Sequence, residues 1–204
     1  ESTDLSIQVW VDPGSLPSTG NQAWFVNKNK VYRIGLKNNG GTTKIIGEFR
    51  DGSGDYEDLQ GTTLSDASGG WYHVVFTFDD SSNRIRLYVN GSIVASKTHN
   101  NSTVNQNSEF SIGRRHDTNG GYYHGKIDEV AYWDTELSAN AISALYNSGN
   151  SLSASTNSGN YSSSGNLIMY YQFQENLNDS EGSFDLTNYN NNIGSSDYVA
   201  EAID

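Results

Sequence analysis

The 204-residue sequence has no cysteine, two prolines and half as many cationic as acidic side chains. Without cysteine there is no disulfide, no thiolate zinc site and no cysteine nucleophile. The compartment stays open on that count, because extracellular bacterial or viral domains lack disulfides as readily as cytosolic ones. Twelve Lys plus Arg against 24 Asp plus Glu give a net charge of -12, which repels phosphate backbones and anionic lipid surfaces alike. No nucleic-acid partner is expected. No run reaches the roughly 18 apolar residues that a membrane span requires, so no membrane insertion is expected either. The chain opens at Glu1 with no basic-plus-apolar leader, as a mature product or excised piece would. Hydrophobic residues make up only 34%, but 13 Tyr, 7 Phe and 4 Trp supply large rings for a core. The length suits one sizeable domain.

The apolar pattern has mostly period two, the mark of strands with a buried face. LSIQVWV puts Leu5, Ile7, Val9 and Val11 on one face and Gln8 and Trp10 on the other. WYHVVFTFDD alternates less cleanly, so both of its faces should be covered. RIRLYVNGSIVAS predicts a hairpin: Asn90-Gly91 supplies the two positive-φ residues of a type I′ turn between strands ending at Val89 and restarting near Ile93. Further strands are expected at 23–26, 31–36, 44–49, 109–112, 125–133 and 167–173. One short helix is predicted near 138–147, with Ser138 as cap, Ala141, Ile142, Leu145 and Tyr146 at helical spacing, and Gly149 as stop. Many short strands with turn chemistry between them predict an all-β fold, a two-sheet antiparallel β-sandwich or jelly roll. Residues 147–166 are nearly all Asn, Ser and Gly and read as a flexible connection. Beyond it, Leu167, Met169, Tyr171 and Phe173 are expected to share one face.

GKIDEVAYWDTELSANAISALYNSG resembles the closing strand and helix of laminin G-like, concanavalin A-like jelly-roll domains. WYHVVFTFDDSSNRIRLYVNGSIVAS resembles their central hairpin and LSIQVWVDP an early strand, so the resemblance covers roughly residues 5–149. LIMYYQFQENLNDSEGSFDLTNYN resembles the segment that usually comes first in this family, here displaced to the end. Two arrangements follow. Either residues 1–204 form a single, circularly permuted domain whose segment 167–204 returns to complete its own sandwich, or the tail belongs to a following copy in a tandem array; the first leaves no bare edge and is preferred.

Glucanases share this superfamily, but their E-x-D-x-x-E signature is absent, and the neighbours Asp128 and Glu129 are expected to point to opposite faces of their strand. The chain is therefore read as not an enzyme. His73 reads as a packed, hydrogen-bonded core imidazole. The Gly-rich loop IGRRHDTNGGYYHG gathers Arg115, Asp117, Asn119, Tyr122, Tyr123 and His124, whose rings and polar groups suit sugar C–H faces and hydroxyls. These six are the candidate ligand-binding residues. The pentraxin-related resemblance implies a calcium position at Asp117, but Arg114, Arg115 and His116 stand where those relatives present Glu and Gln, which implies a lost or altered site. DGSGDYED supplies an acidic loop, and Asp128, Asp179 and Glu181 are the candidate ligands of a structural Ca²⁺.

The function expected is a non-catalytic, lectin-like module that binds carbohydrate or a cell-surface glycan. It would work outside the cell, secreted or on a bacterial or phage surface, as an adhesion element of a multidomain or multimeric assembly. The alternatives are a structural spacer or decoration domain without a ligand and, third, a glycoside hydrolase of the same superfamily.

Overall fold

Alternating side chains settle which faces meet. In the computed structural model, which describes residues 4–50, 54–67, 69–99, 108–115, 120–174 and 176–188, two antiparallel sheets pack face to face. The six-stranded sheet runs β11 (Leu167–Tyr171), β10 (Gly125–Trp133), β1 (Leu5–Pro13), β6 (Tyr72–Asp79), β7 (Arg84–Val89), β8 (Ser92–Thr98). The five-stranded sheet runs β5 (Tyr56–Leu64), β4 (Thr42–Arg50), β3 (Tyr32–Asn39), β2 (Gln22–Lys28), β9 (Phe110–Ile112). Leu5, Ile7, Val9 and Val11 of β1 meet Phe25, Ile34, Leu36, Ile45 and Phe49 of the facing sheet. Asn90 and Gly91 take the left-handed φ values of 50° and 73° that the turn between β7 and β8 requires. None of the helices among the described residues is long and apolar enough to cross a membrane.

The central strands of the six-stranded sheet are buried on both faces, while its edge strand β8 is largely exposed. On the outer side of this sheet Val75, Tyr88, Ala131, Trp133 and Tyr170 pack under α1 (Ala139–Tyr146), which contributes Ala141, Ile142 and Leu145. Ser138 Oγ accepts the Ala141 N–H at 3.2 Å, and Asn147 rather than Gly149 ends the helix, in the left-handed conformation at φ 44°. On the same side Trp10 stacks on Tyr146 at 5.9 Å and tilts against His73 at 4.9 Å. His73 Nε2 lies 2.9 Å from Gln8 Oε1, whose own amide nitrogen donates to the Glu129 carbonyl. That contact makes His73 Nε2 the donor, and burial, which lowers the pKa to about 3, keeps the imidazole neutral.

Three expectations are corrected. The Ser/Gly/Asn stretch is not a free connection: Ala154 and Tyr161 are fully buried in the cluster under α1, and the Tyr161 hydroxyl accepts from Trp133 Nε1 at 2.9 Å and donates to the Ala154 carbonyl. A few anchored side chains suffice to order a polar segment. The acidic run at 55–58 is mostly strand rather than loop, because β5 forms a sheet edge whose outer face is polar; Glu57 pairs with Lys97 and Asp58 with Lys37. And of the returning segment only Leu167–Tyr171 is a strand among the described residues, hydrogen-bonded to β10 of the same chain. A bulge at Ile168 reverses its alternation, so Leu167 and Tyr170 face the helix side while Met169 and Tyr171 face the inter-sheet core.

Replacing Tyr161 by Ala should cost roughly 3–5 kcal/mol in urea denaturation, as for other buried rings; a loss within 0.5 kcal/mol would mean the connection is not anchored there. For His73 the folded pKa of about 3 lies below the unfolded 6.5, so the unfolded state binds the extra proton. Its contribution is complete above about pH 6.5 and is lost progressively as the pH falls towards 3, by a few kcal/mol. In the folded protein the His73 ring resonances should show no titration above pH 4, and a midpoint near 6.5 would refute the buried neutral imidazole.

Candidate functional site

At one edge of the sandwich the short strand β9 ends one sheet and β11 ends the other, and between them lies a cleft enclosing about 730 Å³. β9 carries Phe110 and Ile112 into it; β11 carries Met169 and Tyr171. Tyr171 stacks on Phe110 at 6.3 Å and on Phe173 at 6.2 Å. Burial, reinforced by the charges of Asp179 and Asp185, pushes the Tyr171 hydroxyl well above the ordinary tyrosine range, so it stays a donor, to the Phe184 carbonyl at 2.6 Å. Tyr122 and Phe184 expose 45% and 57% of their surface at the mouth, and Glu109, Arg114 and Asp185 supply charged groups to the lining.

The loop after β9 is placed by backbone contacts that only glycine permits. Gly113, at φ 77°, donates to the Phe25 carbonyl and accepts from the Tyr123 N–H, both at 2.8 Å. Gly121, at φ 65°, accepts from the Trp24 N–H at 3.0 Å, and a Cβ there would sit 2.5 Å from Trp24 Cδ1. Tyr123 is thereby pressed edge-on to Phe25 at 4.9 Å, and burial holds its hydroxyl far above the usual pKa. Tyr122, its neighbour, reaches the cleft mouth.

The far wall is a strap, residues 177–186, folded around one carboxylate. Asp179 Oδ1 accepts the N–H groups of Tyr170 at 2.9 Å and Glu181 at 3.1 Å, while Oδ2 accepts that of Phe184 at 3.3 Å. Ser180 N–H donates to the Tyr170 carbonyl at 2.9 Å and Leu186 N–H to the Leu177 carbonyl at 2.9 Å. Both backbone groups of Tyr170 are thus taken, and the sheet edge cannot add another strand at that point.

Of the six ligand candidates, Tyr122 and Tyr123 line the cleft. Arg115 does not; its N–H donates to the Gly120 carbonyl at 3.4 Å, and its neighbour Arg114 lines the cleft instead. His124 is not part of the lining, and its carbonyl accepts the N–H groups of Gly14 and Ser15 at 2.9 and 3.2 Å. Asp117 and Asn119 lie outside the described residues. The proposed calcium ligands do not assemble: Asp179 is committed to three N–H groups, Asp128 Oδ1 accepts the Glu129 N–H at 2.9 Å, and among the described residues no group of three His, Asp or Glu side chains is placed to hold a metal ion.

Asp128 and Glu129 also depart from the opposite-face expectation. Glu129 sits at φ 50° in a bulge, where Gln8 faces Ala131 and Trp10 faces Asp128. The extra residue brings both carboxylates to the helix side, where Glu129 Oε2 accepts from the Tyr170 hydroxyl. Sequence patterning placed Phe110 in the expected 109–112 strand without assigning it to a site, and it left Phe184 and Leu186 unmarked, since a polar strap has no period to read. Met169, Tyr171 and Phe173 carried a signal, their alternation.

A model of the concanavalin A-like lectin/glucanases superfamily, laminin G type, matches residues 1–143. The chain belongs to that superfamily. No curated protein matches this laminin G-like chain in sequence. Among solved structures it is similar to a Bacteroides ovatus protein provisionally described as carbohydrate binding, at 19% identity and TM-score 0.62, over 84% of this chain and 46% of that one. It is also similar to the CBM40 of a Ruminococcus gnavus sialidase bound to α2,3 sialyllactose, at 15% identity and TM-score 0.56, over 70% and 82%. A third is domain 4 of AbnA, an extracellular arabinanase of Geobacillus stearothermophilus, in complex with arabinotriose, at 22% identity and TM-score 0.51, over 72% and 68%. Such identities establish the shared fold. The laminin G-like chain spans less than half the length of the Bacteroides protein.

Replacing Asp179 by Ala should destabilise the protein by roughly 2–3 kcal/mol, because the buried Tyr170 N–H and two partly buried N–H groups lose their shared acceptor. Limited proteolysis should then cut first within the 177–186 strap. Unchanged stability would show that the strap is held by its apolar side chains instead.

Proposed function

We propose that the chain is a non-catalytic glycan-binding module and that the cleft between β9 and β11 is its ligand site. The observation that carries this is the clustering of rings at one cleft with two of them, Tyr122 and Phe184, about half exposed at its mouth. Flat rings bind the C–H faces of a sugar, and the charged groups of Glu109, Arg114 and Asp185 supply partners for hydroxyls. A spacer domain would be expected to expose scattered polar residues without such a cluster. The fold's occurrence in a sialidase module bound to sialyllactose and an arabinanase domain bound to arabinotriose supports a saccharide as ligand class.

The non-catalytic role is supported by the state of the carboxylate pair. Asp128 and Glu129 are both buried on the helix side, one bonded to a backbone N–H and the other to the Tyr170 hydroxyl. Glycosidases instead flank an open substrate channel with two carboxyl groups. In this reading residues 1–204 act as one module, completed by its own β11, in an extracellular or virion-surface protein. Affinity per module would be low and repetition would supply avidity.

Screened on a glycan array, the protein should retain defined hits, and Tyr122→Ala should weaken them about tenfold or more while leaving the thermal midpoint unchanged. Tyr122→Phe, which keeps the ring, should retain most of the affinity. A blank array for the folded protein would favour the spacer.

A further inference from the structure

A second polar groove lies away from the edge cleft, on the outer face of the five-stranded sheet. Lys37 and Lys44 face each other as a registered pair across β3 and β4, and both line a groove of about 230 Å³ with Asn39, Thr42, Gln60 and Ile46. Like charges directly opposed on one sheet face are unfavourable. The neighbouring charges compensate only one of them. Arg33, held over the Trp24 and Tyr56 rings at 4.6 and 3.8 Å, takes Glu48 in a buried ion pair. Lys37 reaches Glu48 at 3.5 Å and Asp58 at 3.4 Å, longer than tight charged hydrogen bonds. Lys44 lies against a neutral partner, Gln60 Oε1, at 3.1 Å. Three cations against two carboxylates leave one positive charge on this patch, in a chain whose net charge is -12.

The groove is also prearranged. Gln60 Nε2 donates to Asp58 Oδ2 at 3.2 Å, which fixes the amide so that its oxygen faces Lys44. Ile46, almost fully buried, contributes an apolar surface beneath the polar rim. The volume falls below the ~300–1,000 Å³ of pockets for drug-sized ligands, so a single ring with a charged substituent is what it suits.

We propose that this groove is an anion subsite for the carboxylate or sulfate of an acidic sugar, held between the Lys37 and Lys44 ammonium groups. The choice of a sugar as carrier of the anion rests on the glycan-binding reading; the anion itself rests on the lysine pair. An incoming anion removes the repulsion between the two ammoniums, and the Asn39 amide and Thr42 hydroxyl, which line the same groove, offer hydrogen bonds to the ring hydroxyls.

The test is an amide and side-chain NMR titration of the full chain with glucuronate, glucose 6-sulfate, inorganic sulfate and glucose. The Gln60 side-chain amide and the Lys44 signals should shift saturably with both acidic sugars and stay still with glucose. Lys44→Gln should reduce the glucuronate affinity about tenfold or more while leaving the thermal midpoint equal or higher, since it removes a like-charge contact. Equal shifts with glucose, or none with any anion, would overturn the subsite. Shifts from inorganic sulfate as strong as from the acidic sugars would overturn the sugar assignment. The Tyr122 and Tyr123 signals report the edge cleft separately, so failure of the glycan reading there is distinguishable from failure here.

Discussion

The pairing of β11 with β10 is the contact on which the rest of the molecule depends, because it carries opposite side chains of one five-residue strand into two separate cores. Tyr171 enters the space between the sheets and Tyr170 enters the cluster beneath α1. Without that strand the β10 edge would stand open, the wall of the cleft would lose Met169 and Tyr171, and the strap built on Asp179 would have no backbone to hold. The β10 edge is thus paired by a strand far from the chain's start, and the loop-closure cost grows only slowly with the length of the connection. Tyr161 shortens even that span by anchoring the connection midway.

Burial on both faces explains the chemistry of the six-stranded sheet. Gln8, His73 and Thr77 have no solvent on the helix side, and each sets a side-chain polar atom on a partner inside, with His73 Nδ1 left unpaired. Gln8 bridges His73 and the Glu129 carbonyl, and Thr77 donates to Glu136. The Glu129 bulge belongs to the same arrangement: an extra residue turns two carboxylates to one side, where a tyrosine hydroxyl and a backbone N–H receive them.

The five-stranded sheet differs, for its outer face remains in part polar. Gly35 leaves room for Trp24 to lie across it, since a Cβ there would stand 2.9 Å from the Trp24 ring. Arg33 then covers that ring and is neutralised by Glu48. Aromatic and ionic layers stacked in this way put local positive charge on a strongly acidic protein, a distribution that net charge does not reveal.

Strand periodicity, the Asn90-Gly91 turn, the Ser138 cap and the motif resemblance determined the sandwich class, most strand positions and the covered faces of β1 and β6. These are local properties, set within a few residues by backbone preference and alternating burial. Local pattern does not register where a bulge reverses alternation, as at Ile168 and Glu129, nor that a Ser/Gly/Asn segment is anchored by one tyrosine. It marked Tyr122 and Tyr123 but also Arg115 and His124, which are not part of the cleft lining. Tertiary structure alone decided that Phe110 meets Tyr171 and Phe184 at one cleft, because closure of two sheet edges joins residues more than sixty positions apart, and that Asp179 spends its carboxylate on backbone N–H groups two to nine residues away.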